Sequence, residues 1–119
     1  MAQPNIVNVT TIRGNTALMN VTTVSTNVVV NSVSSSKVYK VNTLLISNID
    51  GTNSADITAE FWRGGIAYDI ASTIAVPADA SLVLISKDTA IYLEEGDYIR
   101  LQASANNDLN AILSYEEIT

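Results

Sequence analysis

An all-β fold, a single β-sandwich of immunoglobulin-like or jelly-roll type, is what the sequence predicts, and three observations predict it. Apolar residues recur at every second position through most of the chain, the signature of strands with one buried and one wet face. Turn residues interrupt this alternation about every eight to twelve residues, so roughly eight to ten short antiparallel strands fit. No window carries the apolar period of a three-turn helix, and no repeat of fixed length is present. With 119 residues the chain can bury one hydrophobic core but not two. That gives a single domain over 1–119, with residues 1–13 as an N-terminal edge strand or arm. A barrel is the lesser alternative.

Ile6, Val7, Val9 and Ile12 open the chain as an extended segment. Arg13-Gly14-Asn15 then predicts the first hairpin turn, because Gly and Asn tolerate positive φ. Residues 17–23 alternate Ala17, Met19 and Val21 against Leu18, Asn20 and Thr22 and form a second strand. The β-branched run Val28-Val29-Val30 forms a third. Residues 32–36, four serines around Val33, are the most loop-like stretch and the natural place for a partner-facing loop. From Lys37 the alternation runs into Leu44-Leu45-Ile46, the expected centre of a sheet.

Asp50-Gly51 predicts a hairpin into a strand with Ile57, Ala59 and Phe61 on one side and Thr58, Glu60 and Trp62 on the other. One of Phe61 and Trp62 must therefore face outward, and Trp62 is assigned there. Gly64-Gly65 turns the chain into 66–76, and Pro77-Ala78-Asp79 turns it into 82–85, with Pro pre-setting φ. Ser86-Lys87-Asp88 leads to 91–93, Glu94-Glu95-Gly96-Asp97 forms a hairpin into 98–103, and Asn106-Asn107-Asp108 leads to a closing strand at 109–115.

Composition removes most chemistry. The chain has no His and no Cys, hence no usual general base, no thiol nucleophile and no disulfide. Twelve acidic against six basic residues give a net charge of −6, and the basic residues are scattered. Nucleic acid, which needs clustered Lys and Arg, is excluded as a partner. No stretch approaches the ~20 apolar residues of a membrane span, and the first residues carry no export signal. Membranes are excluded with it.

Two acidic groupings invite a chemical reading. Glu94, Glu95 and Asp97 suggest the carboxylate pair of a glycosidase, but an acidic solvated turn explains them, and no aromatic cluster surrounds them in sequence. Asn48, Asp50, Asn53 and Asp56 offer oxygen ligands for Ca²⁺, yet Gly51 comes too early for an EF-hand loop and the closing Glu is missing. Asn8-Val9-Thr10 and Asn20-Val21-Thr22 match the glycosylation pattern by chance in a chain rich in Asn and Thr. Without His there is no ordinary Ser triad, and no Gly-x-Ser-x-Gly elbow or phosphate loop occurs. The expectation is no enzyme, no catalytic residue, no cofactor and no metal.

Residues 77–118, PADASLVLISKDTAIYLEEGDYIRLQASANNDLNAILSYEEI, are worded like the ends of known chains. They resemble small all-β virion structural proteins of tailed bacteriophages, particularly those of cyanobacterial hosts, and the likeness runs from about Val41 onward. The resemblance implies a virion structural protein assembled in the host cytoplasm, a capsid decoration or cement protein that binds the assembled shell in many copies. Its partners would be the major capsid protein and itself, by analogy as a trimer. The surfaces expected to make these contacts are Ile6, Val7 and Val9, the stretch Val28, Val29, Val30 and Val33, and the aromatics Trp62 and Tyr68. The alternative is a tail, baseplate or fibre component that touches the host surface or its glycans. That role needs an outward aromatic or charged patch, and one Trp, five Tyr and one Phe supply it poorly. A calcium-dependent lectin-like domain is a third reading.

Overall fold

A computed structural model describes residues 4–119 of the chain. Its strands are β1 (Ile12–Val21), β2 (Thr26–Val30), β3 (Val38–Asn48), β4 (Ala55–Arg63), β5 (Ile66–Val76), β6 (Ser81–Ile85), β7 (Ile91–Leu93), β8 (Tyr98–Ala103) and β9 (Leu109–Ile118), with a single 3-10 turn at Lys87–Thr89. They form two antiparallel sheets. The first has the order β1-β9-β3-β6, with β7 also against β3, and the second has the order β2-β8-β4-β5.

The pairings reveal the topology. Strand β4 pairs β5, β3 pairs β6 and β7, β2 pairs β8, and β1 pairs β9. These are the rungs of one long antiparallel hairpin, and successive rungs fall in alternate sheets. Rolling the hairpin up adds the contacts β3 with β9 and β4 with β8. Such a rolled hairpin of two packed sheets is a jelly roll. Alternation alone could not separate it from the immunoglobulin arrangement, because both bury every second residue.

Between the sheets lies the core that the alternation predicts. Val21, Val41, Leu44, Ile46, Ile57, Leu93, Ile99, Leu101, Leu109 and Leu113 are fully buried, contributed by inward positions of both sheets. Two buried asparagines share that interior. Asn31 is fully buried and donates from Nδ2 to the carbonyls of Lys37 and Leu93, while Asn48 donates to those of Asn53 and Val76. Each ties together backbone carbonyls of separate segments, and these hydrogen bonds are what make its burial tolerable.

The chain's start differs from expectation. Strand β1 runs straight through Gly14 and Asn15, which pair with Glu116 and Tyr115 of β9, so no hairpin forms there. Of the arm expected over 1–13, residues 1–3 lie outside the described residues, 4–11 form no strand, and Ile12 and Arg13 already belong to β1. The reason is that β9 pairs residues 12–21 as one continuous strand without a register shift, so the chain does not reverse at Gly14-Asn15.

Two expected hairpins are cross-sheet connections instead. Asp50-Gly51 joins β3 of the first sheet to β4 of the second, and residues 94–97 join β7 to β8. Gly64-Gly65 is a hairpin: Arg63 pairs Ile66 around it, and the two glycines take φ of 60° and 77°, the two-residue turn that only positive φ allows.

Candidate interaction surfaces

The outer face of the first sheet is built by register. Leu18 lies opposite Ile112, Ile112 opposite Leu45, and Leu45 opposite Val83. Opposed residues on adjacent strands share a face, so these four form one apolar row across the four strands, about 14 Å at the usual strand spacing. Leu18 is 73% exposed, Val83 56% and Ile112 37%, and Leu45 is half-buried. The neighbouring row on one side is Thr16, Ser114 and Thr43, and on the other Asn20, Asn110, Ser47 and Ser81. Several of these polar groups satisfy one another across strands, as Asn20 Nδ2 does by donating to Asn110 Oδ1 at 3.0 Å. The three rows contain no charged side chain, on a chain of net charge −6.

Sequence reasoning missed this surface. Leu18, Leu45, Val83 and Ile112 sit at outward positions of their strands, and the signal was there in each: an apolar residue where the alternation calls for a polar one. Their alignment needs the register, including the shift between Val41 and Thr43, which no local pattern encodes.

On the second sheet the outer face has a different chemistry. Val30, Tyr98, Trp62 and Ala67 form one row, and Asn27, Arg100, Glu60 and Asp69 form the next. The rings of Trp62 and Tyr98 are parallel within 8°, their centroids 5.8 Å apart. The Arg100 guanidinium lies over both, 4.8 Å and 5.1 Å from the ring centroids. Its Nε donates to Asn27 Oδ1 at 2.8 Å, and Trp62 Nε1 donates to Glu60 Oε1 at 3.2 Å. The outward placement of Trp62 holds, while Phe61 packs against the core.

The nine expected contact residues do not converge. Val29 is 6% exposed and belongs to the core, and Val28 packs against that core half-buried. Val29 is a correction, since it takes an inward position opposite Ile99, while Val28 falls at the register shift between Asn27 and Val29. Val30 joins Trp62 in the row just described. Val33 is exposed in its loop beside Gly96. Ile6 and Val7 are exposed and Val9 half-buried in the segment before β1, where Pro4 and Ile6 share a shallow hollow with Val38 and Tyr92. Tyr68 is exposed on β5, opposite Phe61.

The acidic groups are engaged in holding loops. Asp97, 2% exposed, accepts from Arg63 Nε at 2.9 Å, from Arg63 Nη2 at 2.6 Å and from the Glu94 amide at 2.8 Å, and Arg63 Nη2 also donates to Glu94 at 2.7 Å. The clamp ties the tip of the β4–β5 hairpin to the β7–β8 turn. Hydrogen bonding to Asp97 holds the guanidinium above its ordinary pKa against the opposing effect of burial. Asp50 accepts from the Thr52 and Asn53 amides, and these backbone bonds hold its carboxyl below the ordinary value. Asn48 is turned inward and accepts from the Asp50 amide, so it belongs to the loop's own scaffold. At the other end Lys37 pairs with Glu117, to which Asn15 Nδ2 also donates at 3.1 Å. The Tyr39 and Tyr115 rings pack at 5.0 Å.

No protein-family model and no curated protein matches the chain. Among solved structures it is similar to a chain from Bacillus endospore appendages, which form a novel family of disulfide-linked pili. The TM-score is 0.54 at 15% identity, over 92% of this chain and 88% of that one. At such identity the likeness is one of fold.

Proposed function

We propose that the chain is a non-enzymatic structural subunit that docks the outer face of its first sheet onto a repeated protein surface, as a capsid decoration or cement protein of a tailed phage. One observation carries the reading: the apolar row Leu18–Ile112–Leu45–Val83, flanked by neutral polar rows and free of charge. A domain that works alone gains nothing from keeping four aliphatic side chains aligned in water, and such a patch with a polar surround is the ordinary make-up of a protein contact. The phage assignment is supported by the wording of the chain from about Val41 onward. The likeness of fold to an appendage protein supports a structural role. Lacking cysteine, this chain would make every such contact without covalent links.

The mechanism is mass action. A subunit that binds only the assembled lattice stabilises it by about 2.7 kcal/mol per site at a hundredfold excess over Kd, and many such sites act together. Neighbouring copies have a further contact available at β1. It is a free sheet edge with ten paired residues on its inner side, no bulge and Arg13 as its one charge, the kind of edge that accepts another strand. The test is to locate and count the protein on purified particles by quantitative mass spectrometry against the major capsid protein. Lattice-wide copy numbers on the head are expected. A few copies confined to the tail would overturn the decoration reading in favour of a tail or fibre component.

A further inference from the structure

The outer faces of the two sheets of a sandwich point in opposite directions, so a subunit held by the first sheet turns the second to solvent. We propose that this second face is a binding site for an uncharged oligosaccharide, centred on Trp62, Tyr98 and Arg100. The inference is independent of the docking reading, because the site is complete within one domain.

The chain spends its only tryptophan on this outer face and leaves it out of the core. Tyr98 and Arg100 cover part of it and leave it half-buried, and the apolar area still in water is costly unless something covers it. Tyr98 continues the ring surface, Val30 extends it on one side, and Ala67, being small, leaves the flank of Trp62 open.

Beside this apolar row, about 7 Å away at the two-residue repeat of a strand, runs the polar row of Arg100, Glu60 and Asp69. A pyranose ring can rest its apolar face on the part of the first row that Arg100 leaves uncovered and direct its hydroxyls to the second. Arg100 is already placed for this. The two rings and Asn27 fix its plane, and among the described residues it forms no salt bridge although Glu60 is its cross-strand partner. Its terminal nitrogens are therefore preorganised donors without a charged partner.

The charge pattern selects the ligand class. One guanidinium flanked by two carboxylates repels an anionic saccharide as much as it attracts it. A cationic ligand is repelled by the Arg100 guanidinium, which already lies over both rings. An uncharged polyol uses both the donors of Arg100 and the acceptors of Glu60 and Asp69, and suffers from neither.

Because Trp62 is the only tryptophan, intrinsic fluorescence reports on this site alone. The isolated protein is titrated with maltotriose, cellotriose and chitotriose, and separately with an oligogalacturonate, following Trp62 emission with calorimetry in parallel. A saturable emission change with at least one neutral trisaccharide is expected. Arg100→Ala, checked for fold by circular dichroism, should then weaken binding about tenfold or more through loss of charge-assisted hydrogen bonds, while Leu18→Ser leaves it unchanged. Absence of any saturable change with all three neutral sugars, or a response confined to the oligogalacturonate, overturns the proposal. Neither result bears on shell docking, which the particle count decides.

Discussion

Leu18 and Leu44 offer a direct separation of docking from folding. Both are leucines in the first sheet, but Leu18 is 73% exposed on the outer row and Leu44 is fully buried in the core. Fully burying a leucine is worth roughly 1.5–3 kcal/mol. A partner that covers the three quarters of Leu18 still in water thus gains about 1–2 kcal/mol from it, or a factor of roughly 5–30 in affinity per site. Folding gains almost nothing from the same side chain, so Leu18→Ala should change stability by less than about 0.5 kcal/mol. Leu44→Ala removes buried methyl groups and leaves a cavity, at a cost of about 2–5 kcal/mol. The assay is rebinding to particles stripped of the protein, with variant bound per shell measured across concentration, beside urea unfolding of each free variant. The reasoning fails if Leu18→Ala rebinds within about twofold of the unaltered protein, or if it unfolds as easily as Leu44→Ala.

Other outcomes follow from the same geometry. Asp97→Ala should cost about 2–3 kcal/mol in urea unfolding, less than the loss of a fully buried ion pair because the Arg63 side chain is 50% exposed and can rehydrate; a cost below about 0.5 kcal/mol would show that the clamp does not hold the hairpin tip. Asn48→Ala strips two carbonyls and the Asp50 amide of their partners and should cost about 2–3 kcal/mol, with an unchanged urea slope. At alkaline pH, burial first and the Glu117 charge second raise the Tyr39 and Tyr115 phenols above the ordinary value of 10.0, and Glu117 likewise raises Lys37 above 10.5. Each group binds its proton more tightly folded than unfolded, so the stability it contributes is complete below those ordinary values and is lost as pH rises through the raised ones. Tyrosinate absorbance should therefore show two of the five tyrosines titrating late and together with unfolding; all five ionising at the ordinary value would contradict this.

The limits of the sequence are instructive residue by residue. Strands such as β4 and β8 are legible because each inward residue is apolar and each turn is marked by Gly, Pro or paired Asn and Asp. Gly14-Asn15 misleads because a local turn signal carries weight only when both flanking segments have partners, and β9 offers a partner to one continuous strand. Asp50-Gly51 and the Glu94-Glu95-Gly96-Asp97 turn are correctly placed as reversals, but whether a reversal stays in its sheet or crosses to the other is decided by distant pairings such as β3 with β9. The same distance hides the apolar row: Leu18, Leu45, Val83 and Ile112 look like isolated exceptions to alternation until the register aligns them. Trp62 could be assigned outward from alternation alone. Its neighbours Tyr98 and Arg100, some 36 and 38 positions away in the sequence, could not.

The central claim is that the first sheet's outer face is the docking face. Cryo-electron microscopy of purified particles tests it most directly, by showing which side of the sandwich meets the shell. The account predicts lattice-wide density in which the row Leu18–Ile112–Leu45–Val83 is covered by capsid protein and Trp62 faces solvent. Density with that row open to solvent, or a shell without this domain on it, would contradict it.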